Sequence, residues 1–274
     1  MSTNNENSFL IDKEKDITSQ YLKQGYYIGP VADEAALSWM HNSFLFIVRE
    51  ELNITEEDKE GKEDKLLDLI HEKISISELN NFRLNVIRKI NELPDFRKKY
   101  FQIAKPYLDM LVGNELAMQV KVNLSIQFPD DDSSLLPTHA DTWSGDSPFE
   151  MVVWIPLVNC YKTKSMYILP PDENDELNKN FTTMAGAHSE DLYQSIKDKV
   201  DWINIDYGNV MLFNNALPHG NRVNIESETR WSMNCRFKAI FSPYWDKKLG
   251  SFFEPITLRA ASISGINYKL PELS

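Results

Sequence analysis

The chain has 274 residues, 42% of them hydrophobic and 11% aromatic, enough to bury a sizeable core in one large domain or two small ones. Its 41 acidic against 29 basic residues leave a formal net charge of -12, which argues against nucleic acid and anionic membranes as partners, since both need a cationic face. A small anionic substrate stays open, because it needs only a local basic patch. Residues 1–8 are polar, and the longest apolar stretches, such as 151–158, are too short to span a bilayer, so the expected compartment is the cytoplasm. Cys160 and Cys235 lie in apolar, strand-like surroundings outside any metal-ligand spacing and read as buried small hydrophobes.

Residues 1–15 read as a flexible tail and 16–117 as a mostly helical flank. Leu37, Met40, Phe44 and Ile47 predict a helix over 35–50, and Leu67, Ile70 and Ile74 another over 67–74. The charge run 56–65 between them reads as solvated surface. Further helices are predicted over 78–92, ended by Leu93 and Pro94, and over 96–110, with Pro106 near its end. At Met118 the period changes to two. Val120, Val122, Leu124, Ile126 and Phe128 alternate with Lys121, Asn123, Ser125 and Gln127, which predicts a strand with one apolar and one polar face. More strands are predicted over 149–157, 165–169, 210–213 and 230–241. The polar segment 171–201, with a helical core near 190–200, interrupts them and is a candidate lid. Residues 242–274 form a C-terminal extension. Helices first, then an antiparallel β region over 118–241, predict a single α+β domain with a barrel or two-sheet core.

Five histidines are present. His41 and His71 fall in helical patterns, and His188 lies in the inserted segment, so these three read as packing or capping residues. His139 and Asp141 are spaced i, i+2. An extended backbone there points both side chains to one side and offers two adjacent ligands for a divalent metal. A distant histidine would complete a 2-His-1-carboxylate triad with open positions. The pair alone is weak evidence, because about 0.7 such spacings arise by chance in a chain of this composition. Two downstream features strengthen it. A turn at Gly208 leads into an apolar strand, after which His219 stands beside Gly220. Eleven residues on, Arg230 and Ser232 share a strand face with Asn234 and Arg236, while Trp231, Met233, Cys235 and Phe237 share the other. A guanidinium and a hydroxyl on one face can grip a carboxylate at two points.

His139-x-Asp141, then His219, then Arg230-x-Ser232 resembles the pattern of the iron(II)/2-oxoglutarate-dependent dioxygenase superfamily in order, spacing and context. Segments 150–157, 165–170 and 208–213 are similar to core strands of its phytanoyl-CoA-dioxygenase-like branch. The blocks 138–145 and 154–170 resemble a bacterial group of such oxygenases found in carbohydrate gene clusters. Lys164-Ser165 and Pro170-Pro171 stand where many members of the wider branch carry other elements, which argues against an acyl-CoA hydroxylase. The resemblance implies a double-stranded β-helix (jelly-roll, cupin-like) core flanked by N-terminal helices. It implies iron(II) on His139, Asp141 and His219, 2-oxoglutarate on that metal with its far carboxylate on Arg230 and Ser232, and O2 as oxidant, with release of succinate and CO2. Since Asp141 is present, hydroxylation or another ordinary oxidation is favoured over halogenation.

Asn123 and Gln127, on the polar face of the first strand, are further candidates for binding 2-oxoglutarate or substrate. Trp143, Arg236 and Tyr167 are candidates for the substrate pocket, with Arg236 also a runner-up carboxylate anchor. The expected substrate is a small molecule such as a sugar, activated sugar or natural-product intermediate, and a homodimer stays open. Two rival readings remain at this stage: a non-oxidative metal-dependent sugar isomerase or epimerase, and a β-sandwich binding protein without chemistry.

Overall fold

The computed structural model describes residues 9–54, 65–179 and 188–272. Most of the charge run 56–65, the tail 1–8 and part of the insertion (180–187) lie outside the described residues.

Helix α1 (Asp12–Gln24) starts inside the stretch read as a tail. Glu14 accepts a hydrogen bond from the Ile11 N–H at 2.9 Å, which satisfies one of the free donors at the helix start. The helix ends on Gly25, whose φ of 82° suits a residue without a Cβ. Strand β1 (Tyr26–Pro30) follows and was not foreseen, because its residues do not alternate in polarity. Helix α2 (Glu34–Leu52) is capped by Asp33, which accepts from the Ala36 N–H at 2.8 Å. The stretch 67–74 is not a helix. It forms turns with a short 3-10 segment at Ile70–Glu72. Helices α3 (Ile76–Glu92) and α4 (Phe96–Leu111) come next, and α4 runs unbroken through Pro106.

The alternating stretch after Met118 is two strands, β2 (Leu116–Gln119) and β3 (Asn123–Gln127). Between them the Val120 N–H turns to the Phe252 carbonyl and the Val122 N–H to the Asn91 side chain. The chain continues through β4 (Glu150–Pro156), β5 (Tyr167–Ile168), α5 (Pro171–Lys179), α6 (Ser189–Ile196), β6 (Asp201–Trp202), β7 (Asn209–Asn214), β8 (His219–Gly220), β9 (Arg230–Ala239), β10 (Phe253–Pro255) and α7 (Ala260–Ile266). The extension after 241 thus supplies an edge strand, β10, paired with β2.

The strands form two antiparallel sheets. The larger runs β1-β7-β4-β9-β2-β10, with β3 also paired to β9. The smaller runs β6-β5-β8 and is extended by a bridge from His219 to His139. Strand β9 divides the molecule. Its Trp231, Met233, Cys235 and Phe237 are fully buried towards the helices. Trp231 meets Phe44 of α2 and Phe82 of α3 edge-on at 6.3 and 6.1 Å, and Phe237 stacks on Tyr100 of α4 at 6.4 Å. Truncating a buried aromatic of this kind costs about 3–5 kcal/mol. The opposite face, with Arg230, Ser232, Asn234 and Arg236, lines a cavity of about 450 Å³ that residues of both sheets enclose.

None of the described residues of 171–201 lines that cavity. Instead α6 packs against the small sheet, with Tyr193 5.2 Å from Tyr167 and Glu190 paired to Arg222. No described helix is long and apolar enough to cross a membrane.

Candidate metal centre

His139 and His219 face each other across an antiparallel bridge. The His139 N–H donates to the His219 carbonyl at 3.0 Å, and the return bond is 2.8 Å. This pairing sets the two imidazoles 4.4 Å apart, centroid to centroid. Gly220 follows because the chain is crowded there: a Cβ at this position would lie 2.7 Å from the Tyr167 hydroxyl and 2.8 Å from the Leu136 carbonyl. The backbone is extended at Ala140, as the spacing argument requires, but Asp141 already opens a short 3-10 turn, Asp141–Ser144. Its N–H is held by the Asn215 carbonyl at 2.9 Å. The carboxylate oxygen Oδ1 of Asp141 lies 3.6 Å from His139 Nε2 and 4.0 Å from His219 Nε2. Among the described residues these three form the one cluster able to hold a metal ion.

The imidazoles are preset as ligands. Nδ1 of His139 meets the Pro137 carbonyl at 2.8 Å, and Nδ1 of His219 meets the Leu217 carbonyl at 2.9 Å. A carbonyl only accepts, so each Nδ1 carries the proton and each Nε2 presents its lone pair. Burial pulls the His219 pKa down to about 4, which keeps this ring neutral near pH 7. Two imidazoles and one carboxylate suit iron(II) and neighbouring transition metals. The other histidines stand apart: His71 pairs with Thr229 at 2.8 Å, His41 lies against Tyr207, and His188 precedes α6.

Arg236 does not serve as a free anchor. Its Nη2 grips Asp141 Oδ1 at 2.8 Å, its Nε lies 3.2 Å from Asp146, and Gln119 accepts from Nη1 at 3.4 Å. It therefore aims the carboxylate of the triad. Behind it, Glu150 accepts the Ser147 N–H at 2.8 Å. Burial pushes the Glu150 carboxyl up to about 7 against the lowering effect of that hydrogen bond, and the Asp146 carboxylate adds to the rise. Sequence reasoning missed Gln119, Asp146 and Glu150, since nothing in their spacing marks them as neighbours of Asp141.

Arg230 is different. It is 3% exposed. Its Nη1 donates to the Ser165 carbonyl at 2.9 Å and its Nη2 to Ser125 Oγ at 2.7 Å. No carboxylate among the described residues pairs with it, and its Nε and the Ser232 hydroxyl have no hydrogen-bond partner. Burial lowers its pKa to about 10, so it stays charged. A buried cation without a counter-ion is costly unless an anion arrives to meet it. Ser125 completes this corner, and the alternation of β3 had already placed it on the polar face. Asn123 also lines the cavity and donates to Asn234 Oδ1 at 2.9 Å.

Three expected site residues stand elsewhere. Gln127 is buried off the cavity, donating to the Arg222 carbonyl at 2.7 Å and accepting from Asn221 at 3.1 Å, so neither end is available to 2-oxoglutarate. Trp143 sits on the 3-10 turn, 45% exposed, and does not wall the cavity. Tyr167 is fully buried, with its hydroxyl 2.7 Å from Thr138 Oγ1.

Two measurements follow from this wiring. Arg236→Lys, which keeps the charge but loses the two-pronged grip, should weaken Co(II) or Mn(II) binding about 10- to 100-fold by titration calorimetry; unchanged affinity would remove Arg236 from this role. Glu150 has a folded pKa above its unfolded value. Its contribution to stability is therefore full below about pH 4.5 and is lost as pH rises through about 7, a swing of about 3 kcal/mol. Urea unfolding should find Glu150→Gln more stable than the parent at pH 8 and not at pH 4, and an equal gap at both pH values would contradict this.

No family model matches the sequence, and no curated protein matches it. Solved structures do. The nickel complex of ThoJ, a non-haem monooxygenase, aligns with a TM-score of 0.52 and 13% identity over 90% of this chain and 86% of its own. Apo EctD from S. alaskensis gives 0.51 and 12% over 89% and 81%. EctD holding 2-oxoglutarate and 5-hydroxyectoine gives 0.50 and 14% over 89% and 80%. At such identities the likeness is one of fold, and the narrower resemblance to the phytanoyl-CoA-dioxygenase-like branch rests on sequence blocks alone. The chain shares the fold of these structures, among them a non-haem monooxygenase, and carries a His-Asp-His cluster within it.

Proposed function

We propose that the chain is an iron(II)- and 2-oxoglutarate-dependent oxygenase that hydroxylates a small molecule, and that its two sheets form a double-stranded β-helix. One observation carries the reading: the cavity holding the triad also holds a buried guanidinium, Arg230, with no anion to neutralise it. His139, Asp141 and His219 would hold the metal. Arg230 and Ser232 would bind a carboxylate of 2-oxoglutarate, which gives the free Nε and the free hydroxyl their partners. A structure of the same fold, EctD, is recorded with 2-oxoglutarate. The bound metal and keto acid supply activation of O2.

The chain's own residues do the rest. The Nδ1–H bonds to Pro137 and Leu217 hold the imidazoles in the liganding tautomer. Arg236 orients Asp141. Val152, Trp154, Met166 and Phe213 make part of the cavity wall apolar, which excludes water from a reactive centre. The Asn123 and Asn234 amides and Ser133 supply polar contacts for a sugar, activated sugar or natural-product intermediate. A non-oxidative isomerase would have no use for the uncompensated Arg230.

With iron(II), ascorbate and 2-oxoglutarate the protein should form succinate, dependent on the metal. Replacing Arg230 by Met should raise the KM for 2-oxoglutarate roughly 10- to 100-fold, the value of a lost charge-assisted contact. His139→Ala and Asp141→Ala should abolish metal binding with the circular dichroism spectrum unchanged. Succinate formation that is absent, or that survives loss of His139, would sink the proposal.

A further inference from the structure

The charge of the cavity is opposite to that of the chain. The protein carries a net charge of -12, yet three arginines line the cavity, Arg83, Arg230 and Arg236, against one acidic residue, Asp141. Such an inversion inside a concave site concentrates anions there. Two of the three arginines have an assignment. Arg236 is neutralised by Asp141 and Asp146. Arg230 is matched to the keto acid. With Asp146 counted, the three arginines and a divalent ion carry one positive charge more than the two aspartates and the doubly charged 2-oxoglutarate can balance, so filling the metal centre leaves a cation uncompensated.

Arg83 stands on α3, next to the buried Phe82, where the helix flank meets the cavity. It is half-buried. Its Nη2 donates to Asn80 Oδ1 at 2.8 Å within the same helix, and no carboxylate among the described residues pairs with it. An amide pair lines the same cavity. Asn123 donates to Asn234 Oδ1 at 2.9 Å, which leaves the amide nitrogen of Asn234 with no acceptor among the described residues. A charged donor and a neutral donor thus line the same cavity as the triad.

We propose that the substrate carries an anionic group, a carboxylate or a phosphate, which Arg83 binds, with the Asn234 amide as a second donor. The inference rests on the oxygenase reading and narrows it: among small polar molecules, the anionic ones are the substrates. Arg83 makes the substrate side selective by charge, whereas the apolar wall of Trp154 and Phe213 faces the rest of the molecule.

The test uses the full chain loaded with Mn(II), saturated with 2-oxoglutarate, and inorganic phosphate as probe. Phosphorus NMR relaxation should show saturable binding of phosphate near the paramagnetic ion. Arg83→Gln should weaken that binding about tenfold or more, the scale of a lost charge-assisted contact, and Arg83→Lys should restore part of it. Acetate and methyl phosphate as competitors then rank carboxylate against phosphate. Relaxation that does not saturate, or that is equal in Arg83→Gln, overturns the inference; phosphate held on the ion itself would give the latter. Thermal melts confirm that the variant is folded. Mn(II) binding by electron paramagnetic resonance and stabilisation by 2-oxoglutarate separate the two failures: if either is missing, the oxygenase reading falls, and if both are present without an Arg83-dependent phosphate site, only the substrate class falls.

Discussion

The reciprocal backbone hydrogen bonds between His139 and His219 are the contact on which the site depends. They join the loop before β4 to the last strand of the small sheet, and they bring together residues far apart in the chain. Their surroundings are built to keep them. The Leu136 N–H donates to Asn221 Oδ1 at 2.5 Å, and the Asn221 amide donates in turn to Gln127 Oε1 and the Ser134 carbonyl. Gln127 therefore acts on the site at a distance, by holding the strand that carries His219. Tyr167 does the same from the other side, its hydroxyl packed over Gly220 and bonded to Thr138, the residue before His139. Buried polar networks of this kind stabilise only when every member is satisfied, which is why these side chains stay with one another and not with a ligand.

Strand β9 joins the core to the chemistry. Its outward residues are the centre of the hydrophobic packing, and its inward residues are the polar wall of the cavity. Its start is pinned tightly. The Thr229 N–H donates to the Asp68 carbonyl at 2.7 Å, and the Trp231 indole donates to the Leu67 carbonyl at 2.9 Å. Fully buried Lys164 bridges Asp68 at 2.5 Å and Glu228 at 2.8 Å. Burial alone would lower the Lys164 pKa, but the hydrogen bonds it donates to the two carboxylates outweigh this and raise it, so the ammonium is retained. Arg230 is next to this clamp and bonds the carbonyl of Ser165, the residue after Lys164. Its guanidinium is thus fixed in position before any anion arrives, which is the arrangement that lowers the entropic cost of binding.

Periodicity made the local parts of this legible. The two faces of β9 were readable from 230–237, as was the polar face of β3 that carries Asn123 and Ser125. The helices α2, α3 and α4 follow from apolar spacing. What failed has a physical cause in each case. Strand β1 lies in an edge register against β7 and has no alternation to betray it. The stretch 67–74 has helical spacing, but its backbone donors and acceptors are taken up by β9 and by turns. Within the site, His139, Asp141, His219, Arg230 and Ser232 were nameable because chemistry restricts their types and order. Arg236 was nameable as a cavity residue but not as the partner of Asp141, because an ion pair between remote segments leaves no mark on spacing. Trp143 followed Asp141 at a spacing that would share its face in a strand, and the 3-10 turn at Asp141 rotates it outward to solvent.

On the proposed reading one cavity would hold a metal and an anion that need each other: the ion on three side chains, the keto acid on that ion and on Arg230. Linkage makes this directly measurable, since a ligand that binds only the folded protein stabilises it by about 2.7 kcal/mol at a hundred times its Kd. Thermal unfolding should be followed with Mn(II), with 2-oxoglutarate, and with both. 2-Oxoglutarate should raise Tm by a large margin with Mn(II) present and by a small one without it. An equal shift in the metal-free protein, or none in the metal-loaded one, would contradict it.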